Sequence, residues 1–239
     1  MGVHKLDLIY QTVVEEVKRF SGFDRVMLYQ FDHEYNGEVI AEAKEPHLNA
    51  FLKQHFPESD IPKQARELYI KNPIRLLCDV EAEVSRLYPA QPHVDLSYCS
   101  LRSVSPIHIQ YLRNMGVKAS MSISIIINGR LWGLIACHHY SSKFVPFEVR
   151  EIAQYISVML SQLISVKIQE EDTQRNARQL AMLGQISAAM AEEQEYQNAL
   201  RIKAEQLLAL VDASGAVWCL DGSLQSAGEV PEQNIIKHL

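Results

Sequence analysis

Residues 117–139 read VKASMSISIIINGRLWGLIACHH, and this stretch decides the fold. Two apolar runs flank Asn128-Gly129, the dipeptide that most strongly signals a two-residue β-hairpin turn. In the first arm Ser120, Ser122 and Ser124 alternate with Met121, Ile123 and Ile125. Strand alternation sends the serines to one face and the large apolar residues to the other. A solvated strand face ordinarily carries Lys, Glu or Thr. Three small hydroxyls leave room for something to lie against the strand, and they can donate to an anion. Solvent exposure and ligand contact both stay open on this pattern. A turn at Asn128-Gly129 pairs Ile127 with Arg130, and counting on from there sets Ala119 opposite His138. That register puts His138 on the face opposite Ser120 and Ser122, and only a bulge or a wider loop would bring them together.

Working outward, RVMLYQF (25–31) and EVIAEA (38–43) read as strands with a turn at Asn36-Gly37. Leu6 to Phe20 reads as an amphipathic helix, and a further strand is predicted near Leu76 to Val80. Residues 46–73 form loop and short helix, punctuated by Pro57, Pro62 and Pro73. Residues 85–106 form a long loop, the kind that is usually functional in a compact domain. These elements predict an α+β fold, an antiparallel sheet flanked by helices. After Glu148 an apolar stripe of Ile152, Tyr155, Ile156, Met159, Leu163 and Val166 has helical spacing, and Leu183, Ile186 and Met190 resume it. No Pro or Gly stands between Glu148 and Gln179. Either one helix leaves the first domain, to transmit force or pair with its copy, or a core helix, a turn and a second helix follow one another. From Ala216 the strands AVWCL and SLQSAGEVP flank Asp221-Gly222, too little to close a core, which reads as the beginning of a second domain.

Composition narrows the function. Lys and Arg number 23 against 29 Asp and Glu, a net charge of −6, which disfavours a nucleic-acid footprint. No apolar run reaches the length of a membrane span, and MGVHKLDLIY lacks the regions of a signal peptide, so a cytoplasmic protein is the simplest expectation. Cys78, Cys99, Cys137 and Cys219 follow neither a disulfide nor a zinc pattern and are expected to be free thiols. There is no P-loop, GxGxxG, HExxH or nucleophile elbow, and no enzymatic role is expected.

Two further stretches carry chemistry. LRSVSPIHIQYLRNMGV (101–117) sets Arg102, Ser103, Ser105, His108 and Tyr111 in an apolar context, with His108 and Tyr111 on one face if the stretch is helical. Arg75 follows Pro73 in a separate apolar segment. Two arginines and a row of serines suit a ligand with two carboxylates, because the guanidinium fork matches carboxylate geometry. The plainer reading is a surface charge for each arginine and a satisfied core residue for His108. In FPESDIP (56–62), Ser59-Asp60 would cap a helix starting at Pro62, or a stiff backbone carbonyl would be aimed at a ligand N–H.

Together these stretches resemble the phytochrome family. FPESDIP is similar to its Pro-x-Ser-Asp-Ile-Pro motif, LRSVSPIHIQYLRNMGV to its chromophore loop, and MSISIIINGRLWGLIACHH to the hairpin that follows. GFDRVMLYQFD and GEVIAEA resemble the opening strands, so the likeness covers about Leu6 to Val166, with a weaker one to Leu239. The resemblance implies a GAF domain over residues 1–168 and a connecting helix with the start of a PHY domain over 169–239. It implies a red/far-red photosensory module holding biliverdin, a linear tetrapyrrole. Asp60, beside Ile61, would offer a backbone carbonyl to the pyrrole nitrogens, and His108 would stack near the same rings. Arg75, Arg102, Ser105, Ser120 and Ser122 would bind the propionates. Tyr29, Phe56, Tyr69 and Tyr111 would surround the terminal ring, and His138 would bond its carbonyl. Plant-type members attach the bilin to a Cys just before the motif histidine, where this sequence has Ile107. Bacterial members use a Cys in a preceding PAS domain, which this sequence lacks. The expectation is therefore a truncated chain or non-covalent binding, with Cys99 and Cys137 as substitute thiols. The implied partners are a second copy through the long helix, a histidine kinase output and its response regulator. The rivals are a GAF domain for a cyclic nucleotide or other small ligand, and a ligand-free dimerisation module.

Overall fold

The computed structural model describes residues 3–89, 94–192, 203–211, 213–220 and 222–231. The chain divides into two compact units, Met1–Val166 and Lys167–Leu239.

In the first unit, α1 (Val3–Ser21) precedes β1 (Arg25–Phe31) and β2 (Gly37–Lys44). A two-residue β3 (His55–Phe56), a 3-10 turn (Glu58–Asp60), α2 (Lys63–Lys71) and β4 (Ile74–Leu77) come next. Then follow α3 (Pro106–Asn114), β5 (Ala119–Ile127), β6 (Arg130–His139) and the start of α4 (Phe147–Glu192). The strands make one antiparallel sheet in the order β3-β2-β1-β6-β5-β4. β4 begins two residues earlier than its predicted place: the Pro73 carbonyl accepts from Ser124 N at 2.7 Å, which starts the ladder at once. The Ser59-Asp60 cap is not formed. Pro62 occupies the N-cap of α2, and no side chain caps that helix.

The main core lies between the sheet and the two long helices. Val14 and Val17 of α1, Leu160 and Ile164 of α4, and Val26, Leu28, Met121, Ile123, Ile125 and Ile135 of the sheet are its buried members. α4 is one uninterrupted helix, the first of the two readings. Within the first unit its buried face shares only Ile156 with the apolar stripe read from the sequence. Within the first unit Ile152, Tyr155, Met159, Leu163 and Val166 are exposed, and Ala153, Ser157, Leu160, Ser161 and Ile164 face the core. Three of these, Ala153, Ser157 and Ser161, are small. Their hydroxyls are satisfied by the helix itself, Ser157 donating to Gln154 O and Ser161 to Ser157 O, each at 2.8 Å.

Two bulges shape the sheet. Tyr29 pairs with Val39 while Leu28 pairs with Ala41, leaving Ile40 unpaired. In the β5–β6 hairpin Ile126 pairs with Leu131 but Ile125 with Gly133, so Trp132 is the extra residue. The plain register from Asn128-Gly129 is thereby corrected. Ser120, not Ala119, stands opposite His138, as the bulge alternative required. Ser161 Oγ accepts the Ile126 N–H at 3.3 Å, so the backbone at this irregularity is bonded to α4.

In the second unit, α5 (Ala204–Val211) precedes a hairpin of β7 (Gly215–Leu220) and β8 (Ser223–Gly228). Leu220 pairs with Ser223 across a turn whose first residue, Asp221, lies outside the described residues.

Candidate functional site

The face of the sheet turned away from α1 and α4 carries the predicted residues. Cross-strand partners share a face, so the registers give rows of neighbouring side chains. One row runs Leu77, Ser120, His138, Arg25. The next runs Arg75, Ser122, Ala136, Met27, Glu42. The third runs Ser124, Leu134, Tyr29, Val39. Neighbouring strands are about 4.8 Å apart, so Arg75 stands beside Ser122, and Ser120 beside His138.

A cationic end lies over β4 and β5. Arg75 Nη2 donates to the Ser103 carbonyl at 2.8 Å, tying β4 to the loop that bears Arg102. Burial first, then the nearby Arg102 guanidinium, lowers the Arg75 pKa. Among the described residues neither arginine forms a salt bridge, although the charge of Arg102 reaches Asp95, and the Nε of each is buried with no hydrogen-bond partner in the protein. Two cations that repel each other and retain unused donors form a place for an anion.

α3 carries the histidine end. Ser105 is its N-cap, with Pro106 in the first turn, and Ser105 Oγ accepts the His108 N–H at 3.2 Å. The hydroxyl assigned to a ligand thus has a capping task of its own. The His108 and Tyr111 rings stack at 6.2 Å between centroids and 13° between planes, so the helical alternative holds. Burial, followed by Arg75, pulls the His108 pKa down to about 4, which keeps the imidazole neutral near pH 7. His138 is 7% exposed, and burial, then Arg25 and His108, depress its pKa to about 3. Its Nδ1 is buried without a protein partner.

The aromatic end gathers around Tyr29. Its ring lies 5.2 Å from Phe31 and 5.9 Å from Phe56. Ile61 and Tyr69 pack on the same cluster with Leu131 and Leu134. A Cβ built on Gly37 would sit 1.7 Å from the Tyr29 ring, so only glycine permits this approach. Burial, then Tyr111 and Asp60 nearby, raises the Tyr29 pKa, and burial with Asp60 does the same for Tyr111. Tyr29, Tyr111 and Asp60 therefore lie within electrostatic reach of one another.

Several residues that position the site escaped the sequence reading. Arg66, 7% exposed, donates to the Ile61 carbonyl at 2.6 Å and to Glu58 at 2.7 Å, and lies 4.2 Å over the Tyr35 ring. It clamps both flanks of Asp60. Ser124, grouped with its neighbours by alternation, instead donates to Tyr69 O at 2.8 Å and anchors α2. Arg25, 1% exposed, pairs with Glu42 and donates to Asn49 O at 2.7 Å, and Phe51 covers its guanidinium at 3.9 Å. Of the substitute thiols, Cys137 is fully buried in the helix-side core, the wrong face of the sheet, and burial raises its pKa. Cys99 and Ile107 are exposed, Ile107 by 82%.

Comparison with known proteins gives the family of the chain. The family model for the GAF domain matches residues 5–168, and that for the phytochrome region matches residues 179–239. Cyanobacterial phytochrome B of Nostoc is 44% identical over 93% of this chain and 30% of its own length. The bacteriophytochrome of Pseudomonas aeruginosa is 41% identical over 97% of this chain and 33% of its own length. The chain thus spans about a third of these curated relatives. The solved photosensory core module of the Stigmatella aurantiaca phytochrome superposes with a TM-score of 0.81 at 39% identity, covering 97% of this chain and 47% of that one. The chain belongs to the phytochrome family, with a GAF domain and a phytochrome region matched in succession.

Proposed function

We propose that this chain is a light-sensing module that holds a linear tetrapyrrole, specifically biliverdin, over the serine-bearing face of the sheet. The observation that carries the reading is the Arg75–Arg102 pair: mutually repelling, without a salt bridge among the described residues, and retaining buried unused N–H donors. Those donors, with Ser120, Ser122 and Ser105, suit the two propionates. Neutral His108, stacked on Tyr111, suits a place beside the inner rings near the Asp60 carbonyl. Tyr29, Phe56, Ile61, Tyr69 and Tyr111 suit an apolar cage for the terminal ring, with His138 toward its carbonyl. When bound, the pigment supplies a double bond that isomerises in light. The residues of the chain orient it, hold its acid arms and exclude water from one end.

The same reading assigns residues 1–168 to the GAF domain and 169–239 to the connecting helix and start of the PHY domain. It assigns dimerisation to α4, whose exposed stripe from Ile152 to Val166 suits a second copy. Output through a histidine kinase and response regulator, and a cytoplasmic site of action, belong to the whole protein under this proposal. Neither a membrane nor a nucleic acid is assigned as a partner. Among the described residues no helix is long and apolar enough to cross a membrane. No catalytic role is assigned to the module. With Ile107 offering no nucleophile, attachment through residue 107 is ruled out.

Mixing the purified chain with biliverdin tests the reading. A strong red absorbance band that changes on illumination is expected, and unchanged free-pigment absorbance would sink it. Zinc-dependent fluorescence after denaturation then reports whether a covalent bond has formed.

A further inference from the structure

Arg150 is a charge in a costly place. It is 8% exposed and stands at the end of the first turn of α4, where the helix dipole is itself positive. Among the described residues no carboxylate pairs with it, and its Nε has no partner in the protein. Its guanidinium lies 5.6 Å from the Phe147 ring and donates from Nη1 to Ser100 Oγ at 3.1 Å. Buried cations so thinly compensated weaken a fold. What this one holds is a single serine.

Ser100 is a junction. Its carbonyl accepts the N–H of Leu76, the residue after Arg75, at 3.2 Å. The segment continues through Arg102, whose N–H donates to Cys99 O at 3.4 Å, to Ser103, whose carbonyl takes Arg75 Nη2 at 2.8 Å. Residues 99–103 are therefore strung between β4 and α4. Arg102 is carried on this segment, and Arg75 is bonded to it. The Ser100 side chain bonds the segment to α4.

We propose that Arg150 is a positioning residue. Through Ser100 it sets the backbone of residues 99–103, and with it the aim of Arg102 and Arg75 at the two carboxylates of the ligand. This rests on the tetrapyrrole reading above. It also makes α4 the far end of a bonded route that begins at the acid arms, so a change of grip on a propionate reaches the helix without crossing the sheet.

The test compares biliverdin with its dimethyl ester, which has the same rings and no carboxylates, in the whole chain. The wild type is expected to bind the free acid more tightly than the ester. R150Q and S100A should each lower affinity for the acid about tenfold, the scale of one charge-assisted hydrogen bond, and leave ester affinity unchanged. The double variant should be no worse than the worse single. S100A guards against R150Q failing to fold. If the wild type does not bind pigment or does not prefer the acid, the tetrapyrrole reading falls, and this inference with it. If the wild type prefers the acid and both variants keep that preference in full, only the role of Arg150 is overturned. An equal loss of acid and ester affinity, with lowered thermal stability, marks a merely structural bond and also overturns it.

Discussion

On the helix side of the sheet, Val26, Leu28, Met121, Ile123, Ile125 and Ile135 are wholly inaccessible and purely aliphatic or thioether. On the other side, the same strands present Arg25, Tyr29, Arg75, Ser120, Ser122 and His138, and four buried side-chain nitrogens there or on the adjoining loop lack a protein partner: Nε of Arg25, Arg75 and Arg102, and Nδ1 of His138. The first face holds the fold together by removing apolar area from water, at about 25 cal/mol per Å². The second face spends stability, because buried polar groups without partners cost about 1–3 kcal/mol each. One sheet thus separates the two tasks by side-chain parity alone. Residues that build and residues that bind alternate along one strand.

The sharpest break of this comparison exchanges one face's chemistry for the other's. Ile123→Ser puts a hydroxyl and a cavity into the helix-side core and should lower unfolding stability by about 4 kcal/mol in urea titration. Acid is the next largest lever, and on the binding face it acts through His108 and His138. The unfolded chain protonates histidine near the ordinary 6.5, whereas folded His108 resists until about pH 4 and His138 until about pH 3. The unfolded state therefore holds more protons between these limits. Stability that is complete above pH 6.5 should drain away as pH falls through that window, by up to about 3 kcal/mol for His108. His108→Gln should flatten the upper part of the profile in pH-dependent denaturation.

Smaller effects sharpen the contrast. Arg75→Met should weaken biliverdin binding by about 2 kcal/mol, roughly 30-fold, while the stability of the pigment-free chain stays within about 1 kcal/mol of wild type because a repulsive cation has gone. A large loss of pigment-free stability would place Arg75 in the building class. Ser124→Ala should cost only about 1 kcal/mol, the hydrogen bond to Tyr69 O, and leave affinity for the acid arms unchanged. A selective loss of acid affinity would move Ser124 among the binding residues.

How much of this was legible depends on range. Alternation at 120–125 and the Asn128-Gly129 turn revealed the hairpin because both are written in adjacent residues. Arg75, Arg102, His108 and Tyr111 stood out as polar groups in apolar stretches, and the family motifs gave them roles and brought in Tyr29, Phe56 and Tyr69. The plain register failed because Trp132 resembles any other apolar strand residue, and nothing local says that it is the one left unpaired. The α4 stripe misled for a related reason. Large apolar residues announce a face, yet the buried face also carries the smaller Ala153, Ser157 and Ser161, which make no apolar stripe. Arg66 was invisible because its partners, Glu58 and Ile61, meet it only once the 3-10 turn has folded back. β3, two residues long, is defined by its pairing with β2 and has no pattern of its own.

The unpaired Trp132 has one more consequence. Deleting a single residue between it and His139 would carry the imidazole through the sheet into oil and bring a neighbour out in its place. Removing two would leave inside and outside as they were. A one-residue indel in β6 that no bulge absorbs is thus a change of function before it is a change of shape.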